Sequence, residues 1–455
     1  MTQQSLAAAV RSLMPRAKAD LAELVAFPSV ADPRQFAVEE CEKAARWVAD
    51  AFAAEGLTGV RVFDTPDGTQ SVYAELPGPA GAPTVLLYSH YDVQPPMDAA
   101  SWLSPAFELT ERDGRWYGRG AADCKGNILM HLTALRALRE VDGGFPVNLK
   151  VIIEGSEEQG TGGLQQYAEA HPELLAADVI VIGDTGNFTA GLPTVTASLR
   201  GVTEVEIALS TLTGNLHSGA FGGAAPDALL ALVRVLATLH DEHGDVAVDG
   251  LRADQVWQGV EYTEEQFRTD AKVLDGVALI GTGTVADRLW ARPSVSVLGI
   301  DAPPVVGAAS AVQAEAKAKV SLRIPPGMEL KGAQDALVAH LEAAVPFGAQ
   351  ATVTRLSGGK PFSADTSGRA YEAMGGAMLE AFGSEMVISG EGGSIPLCNA
   401  LRTLYPDAEI VLIGVEEPTT QIHAVNESVD PLELERMALT EALFLRRYAE
   451  PARQA

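Results

Sequence analysis

The chain has 455 residues, 47% of them hydrophobic, and a formal net charge of −27, which is more length than one hydrophobic core usually fills and enough apolar material for two. The acidic surplus excludes nucleic acid and anionic membrane surfaces as expected partners, because both need a basic face. The three cysteines, Cys41, Cys124 and Cys398, cannot all pair with one another and show no Cys-x-x-Cys spacing, which suits a reducing compartment.

The opening stretch, MTQQSLAAAVRSLMPRAKADLAELVAFPSV, interrupts its apolar residues with Arg11, Arg16, Lys18, Asp20 and Glu23, so it predicts a helix and lacks the unbroken apolar segment of a signal peptide. No later run reaches the length of a membrane span; the expectation is a cytoplasmic protein with no membrane partner. Helical patterns then alternate with four runs rich in Val, Ile and Leu: TVLLYS (84–89), VNLKVIIEG (147–155), DVIVIG (178–183) and EIVLIGV (409–415). These read as strands buried on both faces by crossover helices, the pattern of an α/β fold. One such helix is predicted in ILMHLTALRALRE, 128–140.

Between these runs the pattern changes. TEVEIALS, SVSVLGI and AKAKVSLRI alternate or mix polar with apolar residues, and amphipathic helices are predicted around 226–240 and 333–344. Buried-strand runs on both sides of this region predict an α+β domain over 198–359, inserted into an α/β domain built from 1–197 and 360–455. There is no internal repeat and no low-complexity stretch.

Each buried run is followed closely by a residue able to bind metal or move a proton, and in open α/β sheets ligands bind beyond the carboxyl ends of the strands. His90 and Asp92 follow the first run as His-x-Asp, an arrangement in which the carboxylate can orient a metal-binding imidazole. Asp123 lies in the glycine-punctuated loop YGRGAADCKGN, where a carboxylate could be shared by two cations. Glu157 and Glu158 follow the second run, Asp184 the third and His423 the fourth. Each has an ordinary explanation alone: a hydrogen-bonded histidine, a capping aspartate, a solvated acidic pair. Together they supply nitrogen and oxygen ligands for two borderline-hard cations.

With these residues in order, the sequence resembles the dinuclear zinc metallopeptidases that include carnosinase-type dipeptidases, glutamate carboxypeptidase and succinyl-diaminopimelate desuccinylase. SHYDVQPP, WLSPAF, ERDGRWYGRGAADCKG, IIEGSEEQG, LHSGAFGG, SLRIPPG and GEGGSIP carry the resemblance across nearly the whole chain, and the phrasing of the first three is most similar to the carnosinase-like branch. The resemblance implies a catalytic domain with a mixed, largely parallel sheet flanked by helices, plus an inserted α+β domain that acts as lid and dimerisation surface. It implies two divalent ions per subunit, zinc first, with manganese or cobalt as alternatives. His90, Asp123 and Asp184 would hold one ion, and Asp123, Glu158 and His423 the other. Glu157 would be the general base for a bridging water, with Asp92 steering His90. His217 would reach the active site of the partner in a homodimer and donate to the oxyanion, while Arg323, Gly393 and Ser394 would grip a substrate carboxylate. A cis peptide is implied after the bridging aspartate, at Asp123-Cys124. Cys124 and Cys398 are read as packing residues, and His131, His171, His240, His243 and His340 are given no role.

The expected activity is hydrolysis of the amide bond of dipeptides or similar small peptides. Within the resembled family an aspartate at the position of Asp184 goes with a free-amine substrate, which ranks a dipeptidase ahead of an N-acyl or N-succinyl amino acid amidohydrolase. A silent binding protein on the same fold is the remoter reading; such a protein has no use for Glu157 beside a complete ligand set. The chain departs from the branch at Ser310–Gln313, where the branch has Asn-Val-Ile-Pro, so substrate contacts from that loop are not carried over.

Overall fold

A computed structural model describes residues 3–393 and 395–450. The chain divides into two compact units: one comprises the chain up to Ala197, Ala364–Ser389 and Pro396 onward, the other Ser198–Ser363 and Gly390–Ile395.

The first unit is built on a mixed sheet. In spatial order its strands are Thr58–Asp64, Gln70–Leu76, Asn148–Glu154, Thr84–His90, Val179–Gly183, Glu409–Ile413 and the start of Thr194–Leu199. The middle four run parallel to one another, and the outer pairings are antiparallel. All four runs read as buried strands lie in this parallel centre, and every residue of Val179–Gly183 is buried, as continuous apolar sequence requires when both faces are covered. One cover is the helix Lys125–Asp142, buried at every residue from Lys125 to Leu138 and closed by Gly143 at φ 75°, a left-handed conformation that glycine adopts at no steric cost. The helices Gln3–Val25 and Pro431–Ala449 pack against it. At its start the Lys125 ammonium is buried and donates to the Leu24 and Phe27 carbonyls at 2.9 and 2.8 Å; burial pushes its pKa down to about 7.

The second unit is an antiparallel sheet in the order Ser294–Asp301, Glu315–Ile324, Gly201–Ser210, Gln350–Gly359. Gly201–Ser210 alternates strictly between buried and half-exposed residues, the period-2 signature of a sheet with one covered face. The helices Ala228–Ala237 and Leu330–Ala343 supply the cover: Leu232, Val235, Leu337 and Leu341 close a core with Val205, Ile207, Val320 and Leu322. Asp227 caps the first of these helices, its side chain accepting from the Leu230 N–H at 2.9 Å. Among the described residues no helix is long and apolar enough to cross a membrane.

Candidate metal centre

Strand register brings the expected site residues of the first unit to one sheet edge. His90 is opposite Glu154 on the neighbouring parallel strand, and Gly183 is opposite Ile413. The segments that leave these four strands therefore emerge level. His90 ends its own strand with its ring buried; Asp184 follows Gly183, its N–H donating to the Ile413 carbonyl at 3.1 Å. Asp123 sits just before the helix Lys125–Asp142, and the Asp123-Cys124 peptide is cis. Glu157 and Glu158 form a 3₁₀ turn, Glu157–Gln159, three residues after the strand Asn148–Glu154. His423 stands on an irregular loop at φ 61°, flanked by Gln421 and Asn426, which are also left-handed.

Asp123 divides its carboxylate between the two histidines. Its Oδ1 lies 3.1 Å from His90 Nε2, and its Oδ2 lies 3.0 Å from His423 Nε2. His90 Nε2 is also 3.0 Å from Asp184 Oδ1, and His423 Nε2 is 3.2 Å from Glu158 Oε2. Two sets of one nitrogen and two carboxylate oxygens thus share a single bridging residue. Ligands held 2.0–2.1 Å from a tetrahedral zinc ion lie about 3.3 Å from one another, close to these separations, and the imidazole and carboxylate donors suit zinc, manganese or cobalt. The residues fit two divalent ions.

Charge at the site follows the same arrangement. Hydrogen bonds with Asp123 and Glu158 raise His423 to about 11. Burial opposes ionisation of Asp123, but hydrogen bonds from His423 and His90 outweigh it and hold the carboxyl below the ordinary range. Burial, reinforced by the neighbouring charge of Asp184, pushes Glu157 well above the ordinary carboxylate range. Cations bound here would replace the protons on the imidazoles and relieve the crowding of carboxylates.

A second layer of polar groups fixes the first. Asp92 is fully buried, and its two carboxylate oxygens accept the Glu157 and Glu158 N–H groups, each at 3.1 Å. Its carboxylate is 3.3 Å from His90 Nδ1, whereas its own carbonyl oxygen is nearer, at 3.0 Å; both orient the ring. The Gln94 amide donates to Glu158 Oε2 at 2.8 Å. Buried Glu427 accepts from the backbone of Gly120, Ala122 and Asp123.

Residues 86–447 match peptidase family M20/M25/M40. The chain belongs to this family. It is 45% identical over 413 residues to a cysteinylglycine-S-conjugate dipeptidase of Corynebacterium striatum, covering 90% of each chain. It is 28% identical over 390 residues to the human β-Ala-His dipeptidase, covering 82% of this chain and 76% of that one. The solved structure of human carnosine dipeptidase 1 matches with a TM-score of 0.82 at 26% identity, over 98% of this chain and 99% of that one. The resemblance read from the motifs, and the α/β metallopeptidase it implied, are borne out.

The remaining residues singled out in this M20 peptidase belong to the second unit. His217 is exposed at the end of the two-residue strand Leu216–His217, and its Nδ1 accepts from the Ala220 N–H at 3.2 Å. Arg323 lies on the strand Glu315–Ile324, paired in register with Ser294 and Val202. Gly393 falls in the stretch Gly390–Ile395, and Ser394 lies outside the described residues. Sequence reading missed Arg200, which is buried, donates to Ser294 Oγ at 2.9 Å, and has its pKa pushed down to about 10 by burial and by the Arg323 charge.

Near the first unit's candidate ligands it also missed Glu416, whose carboxylate gathers with those of Asp123 and Asp184; in the sequence it is one of two adjacent acids in a loop. Cys124 has more to do than pack: its thiol donates to the Gly183 carbonyl at 2.9 Å. His131, given no role, is fully buried. Its Nδ1 lies 2.6 Å from Glu441 and its Nε2 3.0 Å from Ser89 Oγ, which donates to Gly183 O. It thereby ties together the strands ending in His90 and leading to Asp184. No sequence period marks these residues, because their partners are up to 310 positions away.

Proposed function

We propose that the chain is a metal-dependent dipeptidase that hydrolyses the amide bond of unblocked dipeptides, with zinc the first choice of metal. The observation that carries this reading is Asp123, which presents one carboxylate oxygen to His90 and the other to His423. His90, Asp123 and Asp184 would hold one ion and Asp123, Glu158 and His423 the second. When bound, such a pair supplies Lewis acidity to the substrate carbonyl and acidifies water near neutral pH.

The chain's own residues supply the rest. Glu157 takes the proton of the attacking water at its carboxylate and returns it to the departing amine. Asp92 fixes both the His90 ring and the backbone that carries Glu157 and Glu158. Arg323 and Gly393, with Ser394, are assigned to the substrate carboxylate, which a guanidinium grips in two places; buried Arg200 is assigned to the same anion. His217 is assigned to the oxyanion in the partner subunit's site. Its Nδ1 is occupied as an acceptor, so a neutral ring carries its proton on Nε2 and can donate there.

The names of the relatives at 45% and 28% identity support a dipeptide as substrate. A homodimer through the second unit is supported by its edge strand Ser294–Asp301, which exposes Val297, Leu298 and Ile300. A cytoplasmic setting is supported by the three free cysteines, two of them buried as thiols.

The test is a panel of free dipeptides, S-substituted cysteinylglycines among them, beside N-acetyl and N-succinyl counterparts, using protein stripped with chelator and reloaded with zinc, manganese or cobalt. Metal-restored cleavage of the free dipeptides is expected. Cleavage confined to acylated substrates would make the enzyme a deacylase, and no turnover with any metal would leave a binding protein.

A further inference from the structure

The ligand-bearing loops at 119–123 and 421–426 have no regular secondary structure to hold them, yet Asp123 and His423 must keep fixed positions if they are to share an ion. Both loops converge on one buried ion pair. Glu427 is 0% exposed and Arg119 1% exposed, and Arg119 Nη1 donates to Glu427 Oε2 at 2.7 Å. The same carboxylate accepts the Gly120 N–H at 3.0 Å and the Ala122 and Asp123 N–H groups at 3.1 Å each. Three backbone donors of the bridging loop are thus satisfied by a side chain four residues beyond His423.

Arg119 completes the connection. Its Nη2 donates to the carbonyls of Ala424, next to His423, at 3.1 Å, and of Pro95, in the loop after Asp92, at 3.2 Å. The Trp102 ring lies 5.5 Å from the guanidinium, with its Nε1 donating to Pro96 O at 2.7 Å. One guanidinium and one carboxylate therefore tie together the chain around Asp92, Asp123 and His423.

Burying such a pair carries a heavy desolvation cost, and well-packed apolar residues of similar volume often serve stability as well or better. Its placement calls for another explanation. Every hydrogen bond that its side chains make to the backbone goes to a segment that carries a ligand or the residue steering one. His423 shows the need most clearly, being a left-handed non-glycine residue on a loop, a conformation that persists only where the surroundings over-determine it.

We propose that Glu427 and Arg119 are positioning residues that hold the Asp123 and His423 loops as one body and so set the affinity of the second cation position. This rests on the ligand assignment above. Arg119→Lys keeps the charge, but a single ammonium cannot span Glu427, Ala424 and Pro95 together, so the position held by His423 is the one it weakens. In Glu427→Gln an amide donor can face Arg119 or the Gly120 N–H, or else the Ala122 and Asp123 donors, which disturbs the shared ligand Asp123 and both positions with it.

The experiment is calorimetric titration of zinc into the chelator-stripped full-length protein, with the thermal midpoint of the stripped protein recorded alongside. Arg119→Lys should bind its second equivalent roughly 10–100-fold more weakly, the usual effect of removing a partner of a metal ligand. Its first equivalent should be unchanged, and kcat should recover at high zinc without a change in KM. Glu427→Gln should weaken both equivalents; if it fails to fold, Arg119→Lys alone decides. Wild-type zinc affinities in Arg119→Lys, whether or not the stripped protein melts earlier, would overturn the proposal and leave the pair a structural one. His423→Ala and Asp123→Ala serve as references, expected to lose one equivalent and two. If both references keep two equivalents, the ligand assignment fails and the proposal with it; if they behave as assigned while Arg119→Lys titrates as wild type, the positioning proposal alone fails.

Discussion

Glu157 sits on a turn that is held independently of its own carboxylate. Asp92 takes the N–H groups of Glu157 and Glu158 from one side. From the other, Asp67 accepts from Ser156 Oγ at 2.8 Å and from Thr161 Oγ1, and so brackets the turn at both ends. Asp67 is held in turn by the hydroxyls of Thr65 and Thr69 at 2.6 and 2.8 Å. Replacing the carboxylate proposed as general base should therefore leave the proposed ligands where they are. Glu157→Gln is expected to retain both metal equivalents by elemental analysis while kcat falls by about 10²–10⁴, the usual contribution of a general base. A variant with near-normal kcat would place the base elsewhere. His90, Asp123, Glu157, Glu158, Asp184 and His423 could be picked from the sequence because each follows a recognisable strand or lies in a motif. Asp67 could not: in TPDGT it reads as an ordinary hairpin turn, and its partners Ser156 and Thr161 lie about ninety residues on.

At the scale of elements, the site depends on parallel strands ending level and on the close approach of the loops that leave them. Gly414, after the strand Glu409–Ile413, is where that approach is tightest: a Cβ there would lie 1.8 Å from the Thr185 carbonyl oxygen. The same two loops are joined by Asp184 N and Thr185 N to Ile413 O, and by Asn187 N to Glu416 O. A backbone oxygen in such a ladder cannot step aside as a flexible side chain could. Gly414→Ala should lower stability by about 1–3 kcal/mol, read from the urea midpoint of the stripped protein, and should weaken metal uptake because Asp184 moves with its loop. An unchanged midpoint and affinity would mean that the loops can separate without cost. The strands themselves were legible: Val179–Gly183 has no polar residue and is buried throughout, whereas Gly201–Ser210 alternates and has one covered face. The strand Gln350–Gly359 was not foreseen. All ten of its residues are exposed or half-exposed, so it carries no run of apolar residues to announce it.

For the whole molecule, the proposed homodimer makes the second unit a part of the chemistry. Val297, Leu298 and Ile300 are 42%, 53% and 45% exposed on an edge strand, an arrangement that invites pairing with another chain. Ile300→Asp should shift the protein toward monomer in light scattering and lower kcat, since His217 would then have no partner site to serve. His217→Ala should lower kcat with metal content unchanged. Mixing it with Glu157→Gln under conditions that exchange subunits should restore part of the activity; no restoration on proven exchange would count against a shared site.

The sequence by itself determined the family and the α/β class and pointed to the proposed ligands, because these depend on local matters: continuous apolar runs, turn glycines, and acids or histidines placed directly after strands. Tertiary structure alone decided how the proposed ligands are held. Asp92 reaching the turn at Glu157, Glu427 answering the backbone of Asp123, and His131 joining two strands are contacts between segments from tens to hundreds of residues apart. A buried carboxylate must find its donors wherever the folded chain brings them, and nothing in the spacing of residues along the chain records where that will be.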